Sequence, residues 1–378
     1  MDRQDTSQLV RFELLHQDAR TGARRGRLHT RWGMVETPAF MPVGSAGSVK
    51  AVGPDDLQRC GAQIILANTY HLMLRPGSNV VAALGGLHRF MGWSGPILTD
   101  SGGFQIFSLA ANRNISDEGA HFRSHLDGSP HQLTPERAIE IQEELGADII
   151  MALDECPPAL RDRAQVEAAC ARTTRWLQRC TKRWTRRSSL FGIIQGGPYL
   201  DLRKRHIEEV CAVDLPGYAL GGYSVGEDAQ TMHEGVAYSA PLMPKERPRY
   251  LMGVGTPRDL ATCIAAGVDL FDCVLPTRCA RNGLLFTSAG KLAIKNAAYA
   301  RDERPPDPHC GCYTCQHFSR AYLRHLFVSR EILAMRLNTL HNLTFFLGLM
   351  AKARQAIEQD GYPEFAAHVA STLAESPP

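Results

Sequence analysis

The stretch Ala147-Asp148-Ile149-Ile150-Met151-Ala152-Leu153-Asp154 is a nearly continuous apolar run that ends at a carboxylate. Such a run is typical of a parallel strand that is buried on both faces, because helices cover both sides of a parallel sheet. The preceding segment Thr134-Pro135-Glu136-Arg137 has the N-cap residue and the first-turn proline that open a helix. Together the two segments predict a helix that leads into a buried strand, which is the repeating unit of α/β proteins.

Seven further runs of this kind occur along the chain. They are Phe40 to Val43, Gln63 to Asn68, Pro96 to Asp100, Leu190 to Gln195, Gly217 to Gly222, Tyr250 to Gly253 and Leu270 to Val274. Eight buried strands alternating with helical segments predict a closed (β/α)8 TIM barrel, with an open doubly wound sheet as the alternative. The 378 residues, of which 44% are hydrophobic, suffice for such a barrel and a small appendage.

Polar residues or glycines stand where each of six apolar runs stops. They are Asn68, Asp100, Asp154, Gln195, Gly221 with Gly222, and Asp272. In a TIM barrel the C-terminal strand ends converge on one mouth, which holds the active site. Any one of these residues could be a satisfied structural group, but six coincident strand ends predict one polar site.

Three cysteines lie within six residues, at Cys310, Cys312 and Cys315. Three thiolates and one imidazole would form a closed tetrahedral zinc site, and a metal without an open position is structural. We expect His341 to be the fourth ligand. Three other histidines lie nearer along the chain and stay open as alternatives: His309, His317 and His325.

The proline-rich segment Arg301 to Pro308 is the clearest boundary in the chain. We therefore predict three parts of the chain: the main part of the barrel at 1–300, a zinc-binding subdomain at 301–345 and a C-terminal helix packed on the barrel at 346–378. Met1 to Asp5 lack the pattern of a signal peptide, and no apolar run reaches membrane-spanning length. We therefore expect a cytoplasmic protein with no membrane partner.

The net charge of +3 is too small to indicate nucleic-acid binding by the chain as a whole, so local patches matter. The segment Arg172 to Arg187 contains seven Lys or Arg residues and no acid, with Trp176 and Trp184 interleaved. This segment has two possible interpretations: it is a solvated helix face, or it contacts an RNA backbone. Arg20 to Arg31 has the same ambiguity.

Four motifs closely resemble the bacterial tRNA-guanine transglycosylases, in that family's order and over nearly the whole chain. They are TDSGGFQ at 99–105, GGYSVGE at 221–227, FDCVLPTR at 271–278, and the CxCxxC cluster with its distal histidine. The resemblance implies a homodimeric barrel enzyme with a structural zinc ion. It implies that the wobble guanine of a uridine-guanine-uridine anticodon is exchanged for 7-aminomethyl-7-deazaguanine, in queuosine biosynthesis.

The resemblance also assigns the chemistry. It implies that Asp272 attacks the anomeric carbon of the ribose and forms a covalent tRNA intermediate, while Asp100 is the general acid/base. The incoming base then displaces the enzyme, so two inversions retain the configuration, as in a retaining glycosidase.

Base recognition follows from the same resemblance. Asp154 would accept from the guanine N1–H and amino group, while Gln195 and the N–H of Gly222 would donate to O6, because a buried polar edge must be paired. The resemblance also implies that Ser101 positions the substrate and that Phe104 and Met252 sandwich the base between them. The carbonyl of Tyr223 would accept from the aminomethyl group. Cys156 would favour 7-aminomethyl-7-deazaguanine over the bulkier queuine. Bacterial relatives often carry Leu where Tyr223 stands, so the shape of the pocket's side wall is left open by the resemblance.

Contacts with macromolecules complete what the resemblance implies. Arg278 and Arg281 match residues that read the uridines flanking the target guanine, whose base must be splayed out of the anticodon loop. With tRNA as substrate, the segment Arg172 to Arg187 gains weight as a tRNA-backbone contact. The aromatic cluster that matches the family's dimer contact is Phe318, Tyr322 and His325, for which simple packing against the zinc loop stays open.

Three other functions are less compatible with the sequence. An archaeosine-type transglycosylase carries extra C-terminal RNA-binding domains, and only 37 residues follow His341. A non-catalytic tRNA-binding partner subunit is disfavoured because both Asp100 and Asp272 are present. A metal-dependent barrel hydrolase would want a His-x-His pair on the first strand, and the sequence has none near the predicted strands.

Overall fold

The computed structural model describes residues 10–109, 111–157 and 162–372. The expectation about a leader at Met1 to Asp5 lies outside the described residues. So do positions 373–378 of the predicted C-terminal helix.

Strands and helices alternate along most of the described chain. The strands are β1 (Arg11–Gln17), β2 (Arg24–Thr30), β3 (Gly33–Thr37), β4 (Ala39–Met41), β5 (Val43–Gly44), β6 (Ile65–Ala67), β7 (Ile97–Thr99), β8 (Ala111–Ser116), β9 (Gly119–Arg123), β10 (Pro130–Leu133), β11 (Ile149–Met151), β12 (Ser189–Ile194), β13 (Gly217–Leu220), β14 (Arg249–Leu251), β15 (Leu270–Asp272), β16 (Leu284–Thr287) and β17 (Gly290–Ala293). The helices are α1 (Pro54–Arg59), α2 (Thr69–Leu74), α3 (Ser78–Ala83), α4 (Gly86–Met91), α5 (Gly103–Leu109), α6 (Pro135–Leu145), α7 (Arg163–Arg183), α8 (Leu200–Cys211), α9 (Ala229–Ser239), α10 (Pro257–Ala265), α11 (Leu275–Arg281), α12 (Tyr313–His317), α13 (Arg320–Val328), α14 (Ile332–Glu358) and α15 (Tyr362–Thr372).

A parallel barrel forms the centre of the molecule. Its nine strands run in the order β4-β15-β14-β13-β12-β11-β7-β6-β5. The two end strands, β4 and β5, are separated only by Pro42, whose carbonyl accepts a hydrogen bond from the N–H of Leu66 at 3.0 Å. The sheet therefore closes on itself, and β4 with β5 counts as one barrel strand. Every predicted apolar run contains one strand of this barrel, so the (β/α)8 prediction is confirmed and the open sheet is excluded.

The predicted helix starts are also formed. The Thr134 side chain accepts a hydrogen bond from the N–H of Arg137 at the start of α6, and the Thr256 side chain accepts one from Asp259 at the start of α10. Each helix has proline in its first turn, where no backbone donor is needed.

An antiparallel sheet, β1-β2-β3, closes the barrel at the N-terminal ends of its strands. Leu28 and Val35 of this sheet belong to the same buried cluster as Phe191 and Tyr250 of the barrel interior. This sheet was not predicted from the sequence. Since it covers one end of the barrel, only the C-terminal strand ends are left to form a site.

The basic segment Arg20 to Arg31 lies in and around this sheet and is structural. Arg24 is buried and its Nε donates to Asp269 Oδ1 at 3.1 Å, while Arg31 Nε donates to Asp148 Oδ1 at 2.8 Å. Both acids stand just before barrel strands, so these ion pairs join the sheet to the barrel.

The segment Arg172 to Arg187 lies mostly on α7, and four of its arginines face acids of the described chain. The pairs are Arg172 with Glu155, Arg175 with Asp117 at 2.6 Å, Arg179 with Glu136 at 2.7 Å, and Arg183 with Glu140 at 2.9 Å. Trp176 is buried in the layer between the helices and the barrel. The charges of this helix face are therefore largely compensated, which favours the structural interpretation over a tRNA contact.

The C-terminal part of the described chain packs on the barrel through α14 and α15. The helix α14 runs without a break through the predicted boundary between 345 and 346. The division into 1–300, 301–345 and 346–378 stays a prediction, and its last boundary does not coincide with the end of an element. Within the described ranges, no helix combines the length and the apolar character that a membrane crossing requires.

Candidate active site

Asp100 lies directly after β7 and is buried at the mouth of the barrel. Its Oδ1 accepts a hydrogen bond from the N–H of Thr69 at 2.9 Å, and its Oδ2 accepts one from the side-chain amide of Asn68. Burial raises the pKa of this carboxyl to about 7, with a further contribution from the nearby charge of Asp272 and despite the hydrogen bond from Thr69. Asp100 can therefore hold or release a proton near neutral pH.

Asp272 is the last residue of β15 and is half-buried. Its Oδ1 accepts hydrogen bonds from the Tyr250 hydroxyl at 2.6 Å and from the N–H of Gly253 at 2.8 Å. Within the described chain no hydrogen bond reaches Oδ2, so this oxygen is available to a substrate. Burial raises the pKa of Asp272, and the two hydrogen bonds oppose that rise.

The carboxyl groups of Asp100 and Asp272 interact electrostatically. The negative charge of Asp272 contributes to the raised pKa of Asp100. A pair of carboxyls whose environments separate their proton affinities can supply one nucleophile and one acid.

A polar pocket adjoins this pair, centred on Asp154 after β11. The Ser101 hydroxyl donates to Asp154 Oδ1 at 2.9 Å, and the Gln195 amide donates to Oδ2 at 2.7 Å. All three side chains are buried. Desolvation raises the pKa of Asp154 to about 6, although both hydrogen bonds oppose the rise. Ser101, Asp154 and Gln195 are thus brought together as the sequence analysis expected.

The end of β13 contributes Gly222 to the same pocket. Gly222 has a φ of 70°, and a Cβ added there would lie 2.5 Å from the side-chain oxygen of Gln195. Only glycine meets both conditions, the left-handed backbone and the close approach. Cys156 is buried beside this turn, and desolvation raises the pKa of its thiol to about 12, so the thiol is neutral.

Among the described residues, the buried oxygen of the Gln195 side chain has no hydrogen-bond partner. A buried unpaired polar atom costs roughly 1 to 3 kcal/mol, and such atoms are often found where a ligand binds. The second hydrogen of the Gln195 amide is likewise available, because one hydrogen suffices for Asp154.

The two residues of the predicted sandwich differ in exposure. Phe104 lies on α5 with 46% of its surface exposed, while Met252 is partly buried against the barrel interior cluster. An exposed aromatic ring beside a polar pocket is a ready surface for a flat ligand.

Tyr223 points away from the pocket. Its ring is buried in the layer between the barrel and the helices, with the Arg203 guanidinium 3.7 Å from the ring centre. A Cβ added to Gly235 of α9 would lie 2.3 Å from the Tyr223 hydroxyl. The larger tyrosine is therefore accommodated beside a glycine of the neighbouring helix, and its side chain does not form the side wall that the sequence analysis considered.

Arg278 and Arg281 lie on α11, directly after the strand that carries Asp272. Arg278 is exposed, and Arg281 Nη1 donates to the carbonyl of Thr277 at 3.0 Å. In the described part of the chain neither arginine forms an ion pair with an acid, in contrast to the arginines of α7. The two guanidinium groups therefore leave an uncompensated positive charge near the barrel mouth.

The predicted metal ligands form a compact cluster outside the barrel mouth. The donor atoms of Cys310, Cys312, Cys315 and His341 all lie within 4.8 Å of one another. Sulfur ligands of a tetrahedral zinc ion stand about 3.8 Å apart, given Zn–S bonds of about 2.3 Å. The cluster can therefore hold a metal ion with little adjustment.

The orientation of His341 fits metal binding. Its Nε2 donates to the carbonyl of Phe286 at 2.7 Å, which leaves Nδ1 facing the thiols of Cys312 and Cys315 at 3.6 and 3.2 Å. A ligating histidine is normally fixed by such a hydrogen bond from its other nitrogen. His341 is thus the histidine that completes the group, as expected, and the three nearer ones are not members of it.

The aromatic residues next to the metal cluster form an exposed face. The rings of Phe318 and Tyr322 stack with their centres 5.4 Å apart, and His325 is exposed on the same helix as Tyr322. Val328 and Ile332 beside them have 56% and 81% of their surfaces exposed. Large exposed apolar side chains in one place are typical of an interface.

Four residues that shape the site were not predicted from the sequence: Tyr250, Arg203, His206 and Glu227. The first three act through contacts with other segments, which no local pattern announces. Glu227 acts locally, since it accepts hydrogen bonds from the N–H groups of Ser224 and Val225 and so closes the turn after Gly222.

The fold and the site together define a barrel enzyme. Two interacting carboxyls at the C-terminal mouth, beside a polar pocket, are suited to transfer at a glycosidic carbon.

Comparison with known proteins makes the assignment more specific. The family model described as "Queuine tRNA-ribosyltransferase" matches residues 18–375, and the chain belongs to this family. A relative with that name from Halothermothrix orenii is 56% identical over 357 residues, which cover 94% of this chain and 96% of the relative. One from Nitratidesulfovibrio vulgaris is 57% identical over 91% of this chain and 92% of its own, and one from Lysinibacillus sphaericus is 54% identical over 95% of each. The expectation of a pentosyltransferase of the tRNA-guanine transglycosylase type is confirmed.

Proposed function

We propose that this enzyme exchanges the wobble guanine of tRNAs with a uridine-guanine-uridine anticodon stretch for 7-aminomethyl-7-deazaguanine, by double displacement through a covalent enzyme-tRNA intermediate. Family membership supports a transglycosylase of queuosine biosynthesis. The observation that carries the mechanism is the pair of interacting carboxyls, Asp100 and Asp272, at the barrel mouth.

In the first half-reaction Asp272 Oδ2 attacks C1′ of the ribose. The C1′–O bond forms, the C1′–N9 bond breaks, and its electron pair leaves with guanine. Asp100, protonated because of its raised pKa, donates the proton that the departing guanine takes up. Tyr250 and Gly253 hold Oδ1, so that Oδ2 is the oxygen presented to the sugar.

The second half-reaction runs in the opposite sense with a different base. Asp100, now a carboxylate, accepts the N9 proton of the incoming base while N9 attacks C1′. The bond from C1′ to Asp272 breaks and restores the carboxylate. Two inversions at C1′ retain the β-configuration, as in a retaining glycosidase.

Base recognition uses the polar pocket. Asp154 accepts from the N1–H and the amino group of the base, and its ionisation is favoured when these donors approach. Gln195 and the N–H of Gly222 donate to O6. Phe104 and Met252 cover the two faces of the ring. Ser101 keeps Asp154 in position through the hydrogen bond of 2.9 Å.

Two further features set the substrate. The carbonyl of Tyr223 accepts from the aminomethyl group of the incoming base, and Cys156 limits the space for bulkier groups such as that of queuine. Arg278 and Arg281 contact the uridines on either side of the target in the splayed anticodon loop. Their lack of acidic partners in the described chain supports this role over one for the α7 arginines.

The metal cluster is proposed to bind one zinc ion per chain, held by Cys310, Cys312, Cys315 and His341. When bound, the ion supplies a structural crosslink between the loop at Cys310 and the helix α14. Together with the aromatic face of Phe318, Tyr322 and His325, this region is proposed to form the contact of a homodimer. We place the enzyme in the cytoplasm, with its tRNA substrate.

The test is an exchange assay. The enzyme is incubated with radiolabelled guanine and an unmodified tRNA that carries the uridine-guanine-uridine stretch, and label in the tRNA is measured. A tRNA whose target guanosine is replaced by adenosine serves as the control. Incorporation confined to the first tRNA supports the proposal, whereas its absence would indicate the non-catalytic partner subunit instead.

A further inference from the structure

Arg203 on α8 is a buried cation that takes no part in the mechanism above. Its side chain has no exposed surface, and its hydrogen bonds go to backbone carbonyls. In the described part of the chain no acid forms an ion pair with it. A buried charge without a counter-charge is expensive, and an apolar side chain of similar volume would often be as stable. The cation therefore requires an explanation beyond stability.

The guanidinium group connects the ends of two neighbouring barrel strands. Nε donates to the carbonyl of Gly197, in the turn after β12, at 2.9 Å. Nη1 donates to the carbonyl of Gly221 at 2.9 Å and Nη2 to that of Gly222 at 3.3 Å, both after β13. These two turns carry the groups proposed to donate to O6 of the base.

The hydrogen bond to Gly221 has a specific consequence for Gly222. The carbonyl of Gly221 and the N–H of Gly222 belong to the same planar peptide group and point in opposite directions. Because Arg203 holds the carbonyl on one side, the N–H is directed to the other side, toward Cys156 and the pocket. A cation at the carbonyl also polarises the peptide and makes its N–H a stronger donor.

The same helix also holds the backbone of Gln195, whose side chain carries the second donor. His206, one turn after Arg203, accepts a hydrogen bond at Nδ1 from the backbone N–H of Gln195 at 2.8 Å. Burial lowers the pKa of His206 to about 4, so the imidazole is neutral and its nitrogen can accept. The helix α8 thus forms hydrogen bonds with the turn after β12 and with the turn after β13.

Tyr223 completes the surroundings of the cation. Its ring lies 3.7 Å from the guanidinium carbon, within the range of a cation–π interaction. This contact offsets part of the desolvation cost and closes the cation off from the solvent. The tyrosine that departs from the usual residue at this position therefore packs on the cation.

We propose that Arg203 is a positioning residue for base recognition, which orients the Gly221–Gly222 peptide so that its N–H donates to O6 of the base. The inference rests on the proposed function, since it takes a guanine-type base as the ligand. Its effect should be confined to the O6 contact, because Asp154 recognises the opposite part of the base edge.

The test compares the binding of guanine and of 6-thioguanine, in which the O6 acceptor is replaced by a weaker one. Equilibrium dialysis without tRNA measures both dissociation constants for the wild type, Arg203→Met and Arg203→Lys. We expect the preference for guanine over 6-thioguanine to fall by about tenfold in Arg203→Met, as one hydrogen bond is lost. Arg203→Lys keeps the charge but loses the planar guanidinium group, so its preference for guanine should lie between those of the wild type and Arg203→Met.

Arg205→Met is the matched control, because Arg205 lies on the same helix, is exposed and pairs with Glu167 at 2.8 Å. It should leave both constants unchanged. A guanine preference in Arg203→Met equal to that of the wild type, or a parallel weakening of both bases in either variant, would assign Arg203 a merely structural role. Failure of the wild type to exchange guanine into tRNA would instead refute the proposed function, and the dialysis result would still stand by itself.

Discussion

The acid/base role proposed for Asp100 predicts opposite pH dependences for the two half-reactions. With a pKa of about 7, the protonated fraction of Asp100 falls from about nine tenths at pH 6 to about one tenth at pH 8. Formation of the covalent adduct consumes this proton, so its rate should fall about tenfold over the range. Discharge of the adduct by the incoming base needs the carboxylate and should not fall as pH rises.

The charge of Asp272, the proposed nucleophile, should increase the difference between the pH dependences of the two half-reactions. Asp272 contributes to the raised pKa of Asp100 only while it carries a charge. In the adduct Asp272 is an ester without charge, so the pKa of Asp100 should drop below 7 and the discharge rate should reach its plateau at a lower pH. Esterification of one carboxyl would thus convert the other from acid to base at constant pH.

The assay is single-turnover reaction with saturating tRNA, quenched and separated on a denaturing gel, where the covalent complex runs as a shifted band. Asp100→Asn should form the adduct about 100-fold to 10,000-fold more slowly and without the pH dependence. Asp272→Asn should give no band at any pH, because an amide does not replace the nucleophile. A pH dependence that persists in Asp100→Asn, or a band with Asp272→Asn that is absent with Asp100→Asn, would reverse the assignment.

Four further predictions concern the remaining parts of the molecule. Cys312→Ser should lower both zinc content and melting temperature, and wild-type protein purified without chelators that lacks stoichiometric zinc would contradict the metal site. Cys156→Val should improve the kcat/KM for queuine relative to the aminomethyl base, within the roughly 1 to 3 kcal/mol of one pocket wall, and an unchanged ratio would assign pocket size to other residues. Arg278→Ala should raise the KM for tRNA but not for the base, whereas Arg175→Ala, whose guanidinium faces an acid, should change neither. Tyr322→Arg should shift the sedimentation coefficient from dimer to monomer, and a wild type that sediments as a monomer would exclude the proposed contact.

Much of the site could be predicted from the sequence because its information is local. A buried parallel strand is an apolar run, and the polar residue that ends it necessarily lies at the barrel mouth. Asp100, Asp154 and Asp272 each follow this rule. The metal cluster was predictable for the same reason, since three of its ligands lie within one short loop.

Other features depend on contacts between distant segments, for which the local pattern allows two interpretations or none. The arginines of α7 form a basic run along the chain, but Asp117 and Glu136 that compensate them come from segments some 40 to 60 residues away. Arg203 is similar to any arginine of an amphipathic helix until the carbonyls of Gly221 and Gly222 are placed against it. Pairing of this kind is decided by the tertiary fold.

The helix α14 joins the proposed metal cluster to the helix that carries the two arginines proposed to contact tRNA. It carries His341, and the next residue, Asn342, donates to the carbonyl of Pro276 at 3.0 Å, while Asn338 donates to that of Ala280 at 3.2 Å. Both carbonyls belong to α11, the helix of the two arginines proposed to read the anticodon loop. A metal that fixes His341 therefore also fixes the face of α14 that holds α11. Loss of the metal should then weaken tRNA binding more than base binding, because the base pocket is built on the barrel strands themselves.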